Sequence, residues 1–197
     1  MTDQSLPFSQ ACENNKAPIL EQLMKWFEGR SYVLEIGSGT GQHAVHFAKY
    51  LTWLKWQTSD QPHYHPGIAQ WIDAYPSENV LMPIALTIGI NEWPNSKIDA
   101  VFSANTAHIM QRQDVKRMMA MIEGALPQGG VFCQYGPFTQ SGQFSSESNQ
   151  QFHLHLLSEG CGGYRDIEEL IEWSPSLTLR EKIEMPANNL LLVWEKR

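Results

Sequence analysis

The sequence predicts an α/β fold: a seven-stranded, mostly parallel sheet with helices on both faces. Strand-like and helix-like segments alternate from residue 31 to 135, and three glycines follow the first strand at once. Residues 177–196 hold two further strands around MPANN, a turn too short for a parallel crossover, so one strand near the sheet edge runs antiparallel.

Each element has its own signal. Ile19, Leu20, Leu23 and Phe27 fall at helical spacing and predict a helix over 17–28. A strand over 31–36 follows, then a helix carried by Ala44, Val45, Ala48 and Leu51. Residues 54–58 read as a strand ending in Ser59-Asp60, 67–75 as a helix and 80–85 as a strand. After a Pro-Asn-Ser loop come a strand over 98–104, a helix over 112–125 with Val115, Met118, Met119 and Ile122 in register, and a strand over 131–135. Residues 139–150 (TQSGQFSSESNQ) are polar and read as a long loop, with helices over 151–157 and 166–173, an insertion over 139–173.

The 197 residues suit one domain over 1–197 with a substantial core. Apolar residues make up 42% and charged ones 18%, a globular balance. A net charge of −7 disfavours nucleic acid as a partner. The three cysteines are widely spaced and suggest no disulfide scaffold. The polar, acidic start does not read as a leader, and no apolar run is long enough for a membrane span, so a cytoplasmic location is expected.

Chemistry concentrates in YVLEIGSGTGQH, residues 32–43. Strand, glycine turn and helix let a ligand approach the backbone closely. Gly37, Gly39 and Gly41 give GxGxG, and Gln42 stands where a dinucleotide fingerprint needs its third glycine. Glu35 would repel a pyrophosphate and welcome an ammonium group. Asp60, ending the second strand, suits two ribose hydroxyls, a feature that serves NAD equally. A ligand with an amino-acid end and a nucleoside end, such as S-adenosylmethionine, fits both acids.

The segment resembles motif I of the class I S-adenosylmethionine-dependent methyltransferases. ENNKAPILEQL, WQTSDQ, NVLMPIAL, NTAHIM, YGPF, GYRDIEEL and MPANNLLLVW extend the likeness, which is similar to the methyltransferase-like protein 26 family from about Cys12 onward. The resemblance implies a Rossmann-like class I methyltransferase fold and S-adenosylmethionine as methyl donor, held by Glu35, Gly37, Ser38, Gly39, Gly41, Asp60, Gln61, Thr87 and Asn105. It names no methyl acceptor. Many members carry an Asp shortly after the third strand; here the residues are Leu86-Thr87-Ile88, which passes adenine recognition to Thr87 or to backbone groups.

Asn105 and His108 follow the fourth strand, where donor and acceptor would meet. His108 is the candidate general base, because an ordinary imidazole titrates near neutrality; Tyr135, ending the fifth strand, is the second catalytic candidate. Phe138, Arg165, Asn188 and Asn189 are candidate substrate-binding residues. Asp166 reads as a helix cap with Glu169 completing a capping box. The histidine pairs lack a completing ligand set, so no metal is expected. These readings point to a methyltransferase with a small-molecule substrate. The alternatives are a noncatalytic S-adenosylmethionine-binding protein and an RNA or protein methyltransferase.

Overall fold

The computed structural model describes residues 5–94 and 97–197. Asn95 and Ser96 of the expected Pro-Asn-Ser loop lie outside the described residues. The elements are α1 (Gln10–Trp26), β1 (Tyr32–Ile36), α2 (Gln42–Tyr50), β2 (Lys55–Asp60), α3 (His65–Ala74), β3 (Val80–Ala85), β4 (Ala100–Ala104), α4 (Arg112–Ala125), β5 (Val131–Gly136), β6 (Phe138–Thr139), α5 (Glu147–Ser158), β7 (Arg165–Asp166), α6 (Ile167–Trp173), β8 (Leu177–Met185) and β9 (Asn189–Lys196). Seven strands form one sheet in the order β3-β2-β1-β4-β5-β9-β8. Only β9 runs against its neighbours β5 and β8, as the short MPANN turn requires.

Alternation along each strand feeds two cores. Val33, Trp56, Phe102, Cys133 and Tyr135 face α1, α2 and α3. Leu34, Val101, Phe132 and Trp194 face α4 and α6. Phe47, Trp56 and Phe102 meet ring to ring at 5.4–5.8 Å, and fully burying such a side chain contributes about 1.5–3 kcal/mol.

Two elements depart from the sequence reading. The first helix begins at Gln10 rather than near 17, because Ser9 caps it by accepting from the Cys12 N–H at 3.3 Å. The second departure is in the stretch expected to be a loop over 139–150. Ser146 caps α5 there, accepting from the Asn149 N–H at 3.1 Å. What remains of the loop is tied down. Thr139 Oγ1 and the Gly142 N–H donate to Asp166 Oδ2 at 2.7 and 2.8 Å, and the Ser141 N–H donates to Glu168 Oε2 at 2.9 Å. Asp166 does cap α6, accepting from the Glu168 N–H. Glu169 completes no capping box and instead pairs with Arg112 at 2.6 Å.

Candidate active site

Two cavities open beyond the carboxyl ends of the parallel strands. The first, about 390 Å³, is lined by Gly37, Gly39, Asp60, Gln61, Leu86, Thr87, Asn105 and Thr106 among others. The second, about 540 Å³, is lined by Asn15, Asn105, His108, Tyr135, Asn149, Phe152, Tyr164 and Asn189 among others. Asn105 and Ile109 border both.

The glycine turn builds the first cavity. Gly37 has φ +75° and a Cβ there would overlap Thr106 Cγ2, so the turn can lie against the β4 exit only without a side chain. Gly41, at φ +91°, starts α2 with the Ile68 backbone 3.1 Å from where a Cβ would stand; it serves packing of α2 on α3 and does not line the cavity. The Gly39 N–H donates to Asp60 Oδ2 at 2.8 Å and the Gln61 N–H to Oδ1 at 2.7 Å. These bonds aim the carboxylate, while burial pushes its pKa up from the ordinary range. Thr106 Oγ1 is buried with no hydrogen-bond partner in a wall of this cavity.

Glu35 and Ser38 correct the sequence reading. Glu35 is 2% exposed and points into the α1–α3 core. Its Oε2 accepts from Ser38 Oγ at 2.8 Å and Trp56 Nε1 at 3.0 Å. Burial lifts its pKa to about 7. Ser38 Oγ in turn accepts from the Ser59 N–H at 3.1 Å. Both residues brace the turn from beneath; neither lines the first cavity.

The second cavity brings together residues far apart in sequence. Asn105 holds a left-handed backbone, φ +56°, that asparagine tolerates, and its N–H donates to the Tyr135 carbonyl at 2.9 Å. His108 is buried against Phe152 and Tyr164, with ring centroids at 6.0 and 6.4 Å. Burial lowers its pKa to about 4, so the expectation of an ordinary imidazole fails: it is neutral at pH 7 and a weak base, suited to accepting a hydrogen bond. Burial pushes the Tyr135 phenol up, and the neighbouring Asn15 and Asn189 amides lower it in part. Asn189 also donates to the Pro186 and Ala187 carbonyls at 3.1 and 3.3 Å.

Three proposed substrate residues are placed elsewhere. Phe138 is 4% exposed within the α4–α6 core. Arg165 is 5% exposed, its guanidinium donates to the Gly162 and Gly163 carbonyls, and it does not line the second cavity. Asn188 is exposed at φ +56° in the turn; its carbonyl accepts from Asn149 Nδ2 at 3.1 Å, and it is absent from the cavity wall. Sequence reasoning missed Asn15, Asn149, Phe152 and Tyr164. For Asn15 a signal existed: it lies four residues before Ile19 on the stripe Ile19–Leu23–Phe27, a polar residue on a core face. Among the described residues, no group of three or more His, Cys, Asp or Glu could hold a metal. Nor is any helix long and apolar enough to cross a membrane.

A family model described as "Protein of unknown function (DUF938)" matches residues 6–196. The chain belongs to this family. Solved structures resemble this DUF938 chain in fold. An O-methyltransferase family 2 protein from Planctomyces limnophilus, in complex with apigenin, has a TM-score of 0.75 at 16% identity over 92% of this chain and 62% of that one. An O-methyltransferase family protein from Burkholderia thailandensis gives 0.76 at 13% identity over 92% and 56%. PigF with SAH gives 0.76 at 17% identity over 91% and 55%. The DUF938 chain thus spans less than two thirds of the length of each. At these identities the likeness establishes the fold, a Rossmann-like methyltransferase sheet with one antiparallel strand.

Proposed function

We propose that the chain is a single-domain, cytoplasmic S-adenosylmethionine-dependent methyltransferase for a small, neutral, polar acceptor. The observation that carries this reading is the pair of adjoining cavities that share Asn105 and Ile109. The first fits the donor: Asp60 presents a carboxylate at the end of β2, the turn at Gly39 leaves open space, and Thr106 Oγ1 is a buried polar atom in want of a partner. Asp60 would hold the ribose hydroxyls, with Gln61, Leu86 and Thr87 flanking the base. When bound, S-adenosylmethionine supplies a methyl group already activated on a sulfonium. The protein is left to align the partners and exclude water.

The second cavity fits an uncharged acceptor. Among the described residues lining it, none is Asp, Glu, Lys or Arg. Five asparagines (Asn14, Asn15, Asn105, Asn149 and Asn189) supply polarity, and Phe152 and Tyr164 supply flat apolar walls. His108 would accept the hydrogen bond of an acceptor O–H or N–H. The narrower resemblance to the methyltransferase-like protein 26 family supports the same reading, since NTAHIM, YGPF and MPANN each contribute to this cavity. The solved O-methyltransferase bound to apigenin makes hydroxylated aromatic compounds a first set to try.

A titration followed by thermal unfolding tests the donor. S-Adenosylhomocysteine at about 100 times its Kd should add about 2.7 kcal/mol of stability, and NAD none; the reverse pattern removes the donor assignment. Cell extract with labelled S-adenosylmethionine then tests the acceptor. A labelled small molecule is the expected product. Donor binding with no labelled product would favour a noncatalytic binding protein, and label on RNA or protein would overturn the small-molecule reading.

A further inference from the structure

A third cavity, about 640 Å³, is walled by the segment leading into α1, by α1, α2 and α3, and by the turn after α3. It shares no lining residue with the other two cavities. One wall is a pair of rings. Trp71 on α3 and Tyr75 at its end are stacked, with centroids 5.2 Å and planes 21° apart. Trp71 Nε1 donates to the Pro7 carbonyl at 2.6 Å, which holds the indole in place. Tyr75 and the neighbouring lining residue Phe8 are 55% and 61% exposed, so their rings serve the core little. Flat aromatic surface in a concave setting suits a planar ligand.

Charge in this wall is unevenly matched. Glu13 is committed: Oε2 takes the Lys16 ammonium and Oε1 accepts from Gln42 Nε2 at 2.8 Å. These two bonds hold its pKa below the ordinary carboxylate range. Lys49 lines the same cavity and has no acidic partner among the described residues. His46 stays neutral at pH 7, because burial and then the Lys16 ammonium lower its pKa. Two further polar atoms of lining residues, His46 Nε2 and Ser77 Oγ, are buried with no hydrogen-bond partner, a condition native folds leave rare.

We propose that this cavity is a separate ligand site for a planar aromatic anion, an aryl carboxylate in its simplest form. The ring stacks on the Trp71–Tyr75 pair and the carboxylate meets Lys49. A cation would face Lys49 and find Glu13 already paired, and a neutral ring would leave Lys49 unanswered. The site needs neither a methyl donor nor an acceptor, so it stands or falls apart from the methyltransferase reading.

Naphthoate is the probe, titrated into the full chain by NMR. The reporter is the Trp71 indole N–H, assigned with Trp71→Phe. At millimolar naphthoate that signal should shift. Naphthamide, the same ring without the charge, should bind about two- to fivefold more weakly, the scale of an exposed ion pair. Lys49→Gln should weaken naphthoate by the same factor and erase its advantage over the amide. Tyr75→Ala should weaken both probes about two- to tenfold. Lys55→Gln removes an exposed lysine outside the cavity and should change nothing. The comparison of the two probes on the parent chain needs no variant, and it decides the matter if one fails to fold. An unmoved Trp71 signal, or equal affinity for both probes in the parent, would overturn the proposal. So would naphthoate binding that Lys49→Gln and Tyr75→Ala leave intact, or that Lys55→Gln weakens as much as Lys49→Gln.

Discussion

The two cavities are built in opposite ways. The first cavity, proposed for the donor, is framed by one short stretch, a glycine turn, one carboxylate pinned by two N–H groups, and a hidden Glu35–Ser38–Trp56 brace, all within residues 35–61, joined by Leu86, Thr87, Asn105 and Thr106. The second cavity, proposed for the acceptor, draws its lining from α1, the β4 exit, β5, α5, the segment before β7 and the β8–β9 turn. A ligand held by main chain constrains a short stretch of sequence. A ligand held by side chains from so many segments leaves its chemistry scattered, and free to change one residue at a time.

The halves should respond oppositely to acid, and this is the largest effect expected. Glu35 binds its proton more tightly in the folded chain, so its contribution to stability grows as pH falls from about 7 toward 4.5. His108 and His43 bind theirs more weakly when folded, so acidification below 6.5 destabilises through both. Each group changes stability by about 1.4 kcal/mol per pH unit within its window. Urea unfolding at pH 6.5 and 4.5 should therefore show Glu35→Gln losing about 2–3 kcal/mol more than the parent, and His108→Gln about 2–3 kcal/mol less. Equal losses in all three would erase the contrast.

Next in size is the turn itself. Gly41→Ala forces a left-handed backbone and a contact with Ile68, and should cost about 2–3 kcal/mol by urea unfolding at constant pH. A neutral result would mean that α2 and α3 can shift. Asp60→Ala should weaken S-adenosylhomocysteine by about 1.5–3 kcal/mol in calorimetry. Some stability should go with it, because the Gly39 and Gln61 N–H groups lose their acceptor. The smallest change belongs to the acceptor side. Asn149→Ala releases the Asn188 carbonyl and should cost about 1 kcal/mol, with donor affinity intact. Lost donor affinity there would show the two cavities to be one.

That division also explains what could be read in advance. Strand–turn–helix and the acid at the next strand's end are linear signals, so Gly37, Gly39 and Asp60 were legible. The strand exits placed Asn105, His108 and Tyr135 by topology, and the short turn after β8 placed Asn189. Side-chain direction was not legible. Glu35 and Phe138 sit at the right ends of strands but face the core, and Arg165 satisfies its own loop. A helix over 151–157 was legible, but the first turn of α5, residues 147–150, reads as loop because ESNQ carries no apolar residue. Its start rests on one serine cap, a signal lost in a run of polar residues.

On the proposed reading, the uncharged lining of the second cavity also governs how an acceptor arrives. The chain as a whole carries a net charge of −7, yet no charged side chain among the described residues lines this opening. A neutral molecule is then captured by unsteered diffusion, at a rate that added salt leaves alone. An anionic look-alike has to climb the protein's overall negative field, a barrier that salt lowers. At low ionic strength the approach itself already sorts neutral molecules from anions before either touches the wall.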